Sequence, residues 1–346
     1  MTKIHYISFL RIIAMFAIIG AHTIAVPVIY YSAEYTDFWL KLSVVVAEIL
    51  RGGVQVFILI SGALFLQPEK ELTLNKLFKK YILRIILSLL IFGTLFALME
   101  IVYNQHSFNV SQIWIAFLNM IQNESWGHLW YLYMLAGLYL VTPILKYFTK
   151  HATDIEIIYI LIVLFLFNIL FPVVEKYTGI KIGFYIPFIG TPIFFYILGF
   201  TLHSRIIKIP DWLSIAMCVF SISIYIIECC IGTKINISRV IFEGFSNTIL
   251  FTLIFPIASF SLALNHCKIN IGERRERIED LFSQLSFGVY IFHAVFINFI
   301  YKALHLTPNK ISVPLLWLLV FCVTSILSLL TTYILRLIPF IKKDIL

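Results

Sequence analysis

Two ionisable residues, Arg11 and His22, interrupt the first long apolar run of the sequence, LRIIAMFAIIGAHT. They are eleven positions apart, which corresponds to about 16 Å along a helix and returns to within about 20° of the same face. An imidazole can take a proton from an acceptor hydroxyl and return it to a leaving group, as acyl transfer requires. An arginine can bind a phosphate-bearing donor. The Arg11/His22 stripe therefore predicts acid–base chemistry beside an anion site.

Each of these two residues also has a simpler interpretation. Arg11 lies about two turns inside the predicted span, and its long side chain could extend to the head groups. His22 could be a packing histidine that is hydrogen-bonded across helices. Ionisable side chains inside a bilayer cost about 2.5–3.5 kcal/mol on insertion scales and normally face a cavity or a partner. Because Arg11 and His22 share one face of the helix, the functional interpretation of both residues is favoured.

The second apolar run contains further polar residues, in AEILRGGVQVFILISGALFL. Glu48 and Arg51 are three positions apart and are predicted to pair. Ser61 could act as a nucleophile only beside a base, which the sequence alone does not show. Small residues such as Gly62 allow close helix approach, so packing alone is an alternative explanation for this block.

Four later residues extend the set of candidates. Arg84 enters the third span in FKKYILRI, either as an interface anchor or as a second phosphate contact. His128 lies in the aromatic sequence WGHLWYLY, which is typical of a membrane interface. Tyr290 and His293 lie in SFGVYIFHAVF. For the two histidines, lining a site and packing within the membrane are both open interpretations.

The composition indicates that these residues belong to a membrane protein. Of the 346 residues, 61% are hydrophobic and only 13% are charged, with a mean hydropathy of +0.96, which is outside the range of soluble domains. Apolar runs recur to the C-terminus, so the first run is predicted to be a retained span rather than a signal peptide. The net charge of +8 is dispersed in short clusters between these runs, which indicates membrane topology rather than nucleic-acid binding.

Apolar runs of about 17 to 25 residues predict transmembrane helices. An even number of spans places both termini on one side, and the excess of Lys and Arg in the segments of that side makes it the cytoplasm. We therefore expect an all-α, polytopic integral membrane protein with about ten transmembrane helices, both termini in the cytoplasm, and a single domain over 1–346 with no fused soluble domain. The ten predicted spans are 5–28, 43–66, 82–103, 128–145, 157–173, 185–202, 213–232, 247–265, 287–304 and 313–337.

Two longer polar segments connect these spans. NQHSFNVSQIWIAFLNMIQNESWG contains no Lys or Arg, and we expect it at the outer interface, partly as an amphipathic helix. NHCKINIGERRERIEDLFSQLS alternates in charge at helical spacing, and we expect a solvated helix on the cytoplasmic side.

Four blocks in order make the chain resemble the membrane-bound acyltransferase 3 family. Arg11 and His22 match the R-x10-H element of its first span, and RGGVQVFILISG matches its second-span block. HLWYLYMLAGLYLVTP, which contains His128 and Tyr139, matches its tryptophan-containing span, and SFGVYIFHAVF matches its late Y-x-x-H block. One departure is Tyr81, which stands where the family often has the first arginine of R-x-x-R.

The resemblance implies transfer of an acyl group, usually acetyl from cytoplasmic acetyl-CoA, to a hydroxyl of a cell-surface glycan or another envelope molecule. It implies that His22 is catalytic, that Arg11 and Arg84 bind the donor, and that no cofactor is bound. Other residues of the matching blocks would line the site: Arg51, Ser61, His128, Tyr139, Tyr290 and His293. Without an extracellular esterase-like domain, the protein would act on its acceptor directly or pass the acyl group to a separate extracytoplasmic transferase.

The leading hypothesis is therefore an O-acyltransferase of the cytoplasmic membrane in which His22 is the general base; a covalent acyl-histidine is the variant mechanism. The alternative is a transporter or flippase of a small metabolite or a lipid-linked glycan, since buried ionisable residues on ten spans suit it as well. The sequence lacks paired Gly- or Pro-interrupted spans in matching halves, which are typical of transporters with inverted repeats.

Overall fold

A computed structural model of the protein describes residues 5–180, 182–183, 190–231, 249–267 and 272–346. Within these ranges all regular elements are helices and there is no strand, which confirms the all-α class. In the part of the chain that the structure describes, seven helical segments are long and apolar enough to cross a bilayer. Large apolar side chains such as Leu318 and Ile326 remain exposed, as expected of helices that face lipid.

Apart from the 3-10 turn Ser32–Glu34 and the short π-helix Ile341–Ile345, the described residues form twelve helices. We number these in chain order and treat a helix that contains a π-helical stretch or begins with a 3-10 turn as one element. They are α1 His5–Tyr31, α2 Asp37–Arg51, α3 Gly53–Phe65, α4 Leu74–Gln105, α5 Ser111–Ile121, α6 Gly127–His151, α7 Asp154–Glu175, α8 Thr191–His203, α9 Asp211–Ile231, α10 Ile249–His266, α11 Glu273–Ala303 and α12 Val313–Leu335.

Every predicted span overlaps one or two of these helices. The seven long apolar helices correspond to α1, to α2 with α3, and to α4, α6, α7, α11 and α12. The predicted spans 185–202, 213–232 and 247–265 overlap α8, α9 and α10, whose described apolar parts are shorter. Positions 185–189, 232 and 247–248 of these spans lie outside the described residues. The count of ten and the cytoplasmic side of both termini therefore stay predictions.

Two spans differ from their predicted form. The second consists of two helices, because α2 ends at Arg51 and α3 begins at Gly53. The span predicted over 287–304 is the C-terminal part of the 31-residue α11, which is about 46 Å long and exceeds the roughly 30 Å hydrocarbon core. The charged sequence ERRERIED is thus helical, as predicted, and continuous with the following span.

The predicted helix in the connection after the third span is α5. Trp114 is exposed on this helix, whereas Ala116 and Met120 are buried. An apolar side chain on the exposed face suits a helix at a lipid interface. The helix is confirmed, and its position at the outer interface stays a prediction.

The helices pack in two compact units, each discontinuous in sequence. Unit 1 comes from segments 1–67 and 152–329, and unit 2 comes from segments 68–151 and 330–346. This division concerns helix packing alone, and the single transmembrane domain over 1–346 stays a prediction. Among the predicted site residues, Arg11, His22, Arg51, Ser61, Tyr290 and His293 belong to unit 1, whereas Arg84, His128 and Tyr139 belong to unit 2.

In unit 1, α3 and α8 approach each other through two glycines. A Cβ atom at Gly62 would collide with the backbone carbonyl of Tyr196, and one at Gly199 would collide with the carbonyl of Leu59. Small residues allow the backbones of membrane helices to pack at this distance. The close approach predicted for Gly62 is therefore confirmed, and Gly62 meets the backbone of Tyr196 on α8.

Candidate functional site

Helices α1 and α11 contact each other through two polar pairs in unit 1. Arg11 Nη1 donates a hydrogen bond to Ser283 Oγ at 3.1 Å. The ring centroids of His22 and His293 are 5.1 Å apart, with the ring planes inclined at 48°. The two pairs are eleven positions apart along α1 and ten along α11, so the helices run in the same direction. Both residues of the Arg11/His22 stripe therefore face α11.

The imidazole of His293 has a defined tautomer. Its ring is fully buried, and its Nδ1 lies 2.6 Å from the backbone carbonyl oxygen of Tyr290. A carbonyl oxygen only accepts hydrogen bonds, so Nδ1 holds the proton of the neutral ring and Nε2 holds the lone pair. That lone pair can accept a hydrogen bond or a proton. The ring of His293 contacts that of His22. The histidine of the Y-x-x-H block thus adds a second basic nitrogen to the one on His22.

A positive charge that acts on His22 comes from Arg51. Arg51 Nη1 forms an ion pair with Glu48 Oε1 at 3.0 Å, as predicted from their spacing. Glu48 is only 5% exposed, and Arg51 is the last residue of α2. The guanidinium is close enough to His22 for its charge to act on the imidazole. The buried carboxylate therefore holds a cation within electrostatic range of His22.

Ser61 is satisfied within its own helix. Its hydroxyl donates to the backbone carbonyl of Phe57, one turn earlier in α3, at 2.9 Å. This is the usual bond of a serine inside a helix. The described contacts of Ser61 therefore fit the interpretation that this residue, like the neighbouring Gly62, serves helix packing.

Arg84 contacts the C-terminal segment within unit 2. Its Nε donates to the backbone carbonyl of Ile345 at 3.5 Å, and Ser88 Oγ donates to the same oxygen at 2.9 Å. Both donors lie on α4, one turn apart.

His128 belongs to an aromatic cluster of unit 2. It is 6% exposed, and its ring lies 6.0 Å from that of Phe96 and 6.3 Å from that of Trp126. Trp126 stacks on Phe96 at 4.7 Å and donates through Nε1 to Glu100. These contacts fit the packing interpretation of His128.

Tyr139 contacts the position at which the chain departs from the family pattern. The rings of Tyr81 and Tyr139 meet edge to face at 6.2 Å. Lys80 lies next to this pair, with Nζ 5.7 Å from the centre of the Tyr81 ring. An aromatic contact between α4 and α6 therefore occupies the place of the first arginine of R-x-x-R.

Ser283 is a residue of this site that the sequence interpretation missed. It is 6% exposed, lies in the charged first half of α11 and accepts the hydrogen bond of Arg11. One signal was available: Ser283 precedes His293 by ten positions, almost the spacing that separates Arg11 from His22. Among the described residues, no cluster of three or more His, Cys, Asp or Glu could hold a metal ion.

Comparison with known proteins identifies a family for this chain. The family model described as an acyltransferase domain (acyltransferase 3) matches residues 4–335, which is nearly the whole chain. No curated protein and no solved structure matches the chain. The match covers all nine predicted site residues.

Proposed function

The chain belongs to the membrane acyltransferase 3 family, and on that premise we propose that it transfers an acyl group, acetyl in the simplest case, from acyl-CoA to a hydroxyl of a cell-surface glycan or another envelope molecule. We place this reaction in the cytoplasmic membrane. The acyl group goes to the acceptor directly or to a separate extracytoplasmic transferase. No bound cofactor is needed, because acyl-CoA itself is an activated thioester.

The observation that supports this chemistry best is the contact between His22 and His293. In the proposed reaction, the acceptor oxygen bonds to the thioester carbonyl carbon while the imidazole of His22 takes the hydroxyl proton. The C–S bond then breaks, and the imidazole returns the proton to the leaving thiolate. In this proposal His293 orients His22 through the contact of their rings, while the Nδ1–H of His293 is committed to the carbonyl oxygen of Tyr290.

Arg51 suits the negative charge that develops during the reaction. Attack on the thioester turns its carbonyl oxygen into an oxyanion, and a fixed cation in a medium of low dielectric stabilises such a charge strongly. The ion pair with Glu48 holds the guanidinium near His22 before the reaction begins. The Glu48–Arg51 pair is therefore a source of electrostatic stabilisation in this proposal.

Arg11 and Arg84 are the donor-binding residues in this proposal. Coenzyme A has several phosphate groups, and guanidinium groups bind phosphates through paired hydrogen bonds. Arg11 lies about 16 Å along α1 from His22, which is compatible with a long donor whose phosphates and thioester are far apart. Ser283, which accepts a hydrogen bond from Arg11, orients the guanidinium without neutralising its charge.

The function can be tested in membrane vesicles from cells that express the full chain, supplied with acetyl-CoA labelled in the acetyl group. We expect label in the envelope glycan fraction to depend on the protein, and vesicles from cells with an empty vector provide the background. Equal labelling of the two preparations would contradict acyl transfer. Movement of a labelled metabolite or lipid-linked glycan across vesicles without acyl-CoA would favour the transporter alternative instead.

Replacement of Arg11 by alanine is expected to raise the KM for acyl-CoA about 10- to 100-fold, the equivalent of a hydrogen bond to a charged group. The value of kcat should change much less, because Arg11 is remote from the reacting atoms. Ser283→Ala is the matched control, since it removes the hydrogen bond and keeps the charge, and we expect a smaller rise in KM. An unchanged KM in Arg11→Ala would contradict the donor role.

A further inference from the structure

Helix α1 has a proline one turn after the histidine pair. Pro27 lies inside the helix, where its nitrogen has no hydrogen to donate to the carbonyl four residues earlier. That carbonyl belongs to Thr23, the residue that follows His22. Thr23 and Pro27 are both buried, so water does not readily replace the missing bond. The turn of α1 that begins beside His22 therefore needs a donor from elsewhere.

Tyr301 on α11 provides that donor. Its hydroxyl donates to the backbone carbonyl of Thr23 at 3.0 Å, and its side chain is fully buried. Tyr301 lies in a π-helical stretch, Phe299–Ala303, at the end of α11. Its own carbonyl accepts a hydrogen bond from the hydroxyl of Tyr31 at 2.8 Å, which ties the last residue of α1 to the same place. The carbonyl that proline leaves without its helical donor is thus bonded by a tyrosine of the neighbouring helix.

The position of this bond relates it to the proposed catalytic residue. His22 contacts α11 through His293, and the next residue, Thr23, contacts α11 through Tyr301. Two consecutive residues of α1 are therefore fixed against one helix, one by its side chain and one by its backbone. Without the tyrosine bond, the turn between Thr23 and Pro27 would have a carbonyl with no helical partner, and the backbone next to His22 would lose its hydrogen bond to α11.

We infer that Tyr301 is a positioning residue for His22: its hydroxyl replaces the backbone hydrogen bond that Pro27 removes and so sets the direction in which the imidazole points. This inference rests on the proposed function for its effect on rate. The geometry of the hydrogen bond is independent of the proposed function, because it concerns only the backbone of α1. Tyr301 touches no reacting group and acts only through the turn that contains Thr23.

The test uses the full chain in the acetyl-CoA assay, with rates measured over a range of donor concentrations. Tyr301→Phe keeps the ring and removes the hydroxyl, and we expect kcat to fall roughly 10- to 100-fold, as for a small misplacement of a catalytic group. The KM for acyl-CoA should change less than about twofold, because Arg11 is not affected. Tyr31→Phe is the matched control, since it also removes one hydroxyl from this contact but leaves the Thr23 carbonyl bonded, and its kcat should stay within about threefold of wild type.

Pro27→Ala separates positioning from general stability, because an alanine nitrogen can donate to the Thr23 carbonyl and make the tyrosine hydroxyl dispensable. In the Pro27→Ala background, Tyr301→Phe should lower kcat less than about threefold. An equal loss of kcat with and without the proline would overturn the inference, as would a Tyr301→Phe variant with the kcat of wild type.

A second measurement distinguishes failure of this inference from failure of the proposed function. Amide hydrogen exchange in residues 22–28 should be faster in Tyr301→Phe than in Tyr31→Phe, and Pro27→Ala should remove most of that difference. If the wild-type protein shows no acyl transfer, the proposed function fails and the exchange rates still decide whether Tyr301 holds this turn. Equal exchange in the two tyrosine variants would show that it does not.

Discussion

Replacement of His22 by glutamine is expected to lower kcat for acyl transfer by about 10²- to 10⁴-fold, the range that a general acid–base group contributes. Glutamine keeps a polar side chain of similar length but cannot take the hydroxyl proton. The KM for acyl-CoA should change little, because the proposed donor contacts are at Arg11 and Arg84. The measurement is the rate of label transfer at saturating acetyl-CoA over a range of pH, where the variant should also lose the pH dependence of the base.

Two further variants make this prediction specific. His151→Gln is the control, because His151 is exposed at the end of α6, and it should retain the activity of wild type. His293→Gln tests whether the two imidazoles act as one unit: the double variant His22→Gln/His293→Gln should then be little slower than His22→Gln alone. A His22→Gln enzyme with the kcat of wild type would exclude His22 as the base.

The same preparation addresses the variant mechanism. If His22 formed a covalent acyl intermediate, labelled acetyl-CoA would leave label on the protein when the acceptor is omitted and the reaction is quenched rapidly. General-base catalysis predicts no such label above that of His22→Gln. The two mechanisms therefore differ in an observation that does not require the acceptor to be identified.

The positions of the seven long apolar helices found in the described residues could be predicted from the sequence, because lipid requires long apolar helices whatever their partners. Arg11 and His22 could likewise be assigned to one face, since that face depends only on the helical repeat. Their partners on α11 could not be predicted, because one sequence gives no information on which helices pack together. The same limit applies to Tyr301: Pro27 shows that the Thr23 carbonyl lacks its helical donor, but not which residue supplies another.

The shapes of individual helices were also beyond prediction from composition. The second half of the run 43–66 is mostly apolar, and nothing in its hydropathy distinguishes one helix from two that meet at Gly52. The charged start of α11 is helical for reasons of local spacing, with ion pairs four residues apart such as Arg275–Glu279. Its continuity with the apolar part depends on the absence of any helix-breaking residue between them, which hydropathy does not register.

Substitution of Gly199 by alanine is expected to lower the free energy of unfolding by about 3 kcal/mol, the upper end of the usual cost of overpacking. The added methyl group would meet the backbone carbonyl of Leu59, which cannot rotate away as a flexible side chain could. Helices α3 and α8 would have to move apart along their contact, and the dispersion attraction between the two backbones would weaken. Gly62→Ala should have a similar effect through the carbonyl of Tyr196.

Gly137→Ala is the matched control for these substitutions, because a methyl group at this helical position of α6 would meet nothing within 4 Å. Alanine is the better helix former by about 0.5–1 kcal/mol, so this variant should be as stable as wild type or slightly more stable. Equilibrium unfolding in detergent would compare the variants. The double variant Gly62→Ala/Gly199→Ala should cost less than the two single losses together, because one separation of α3 from α8 relieves both collisions. If Gly199→Ala were as stable as Gly137→Ala, or if the two losses were fully additive, the glycine contact would not determine how closely these helices pack.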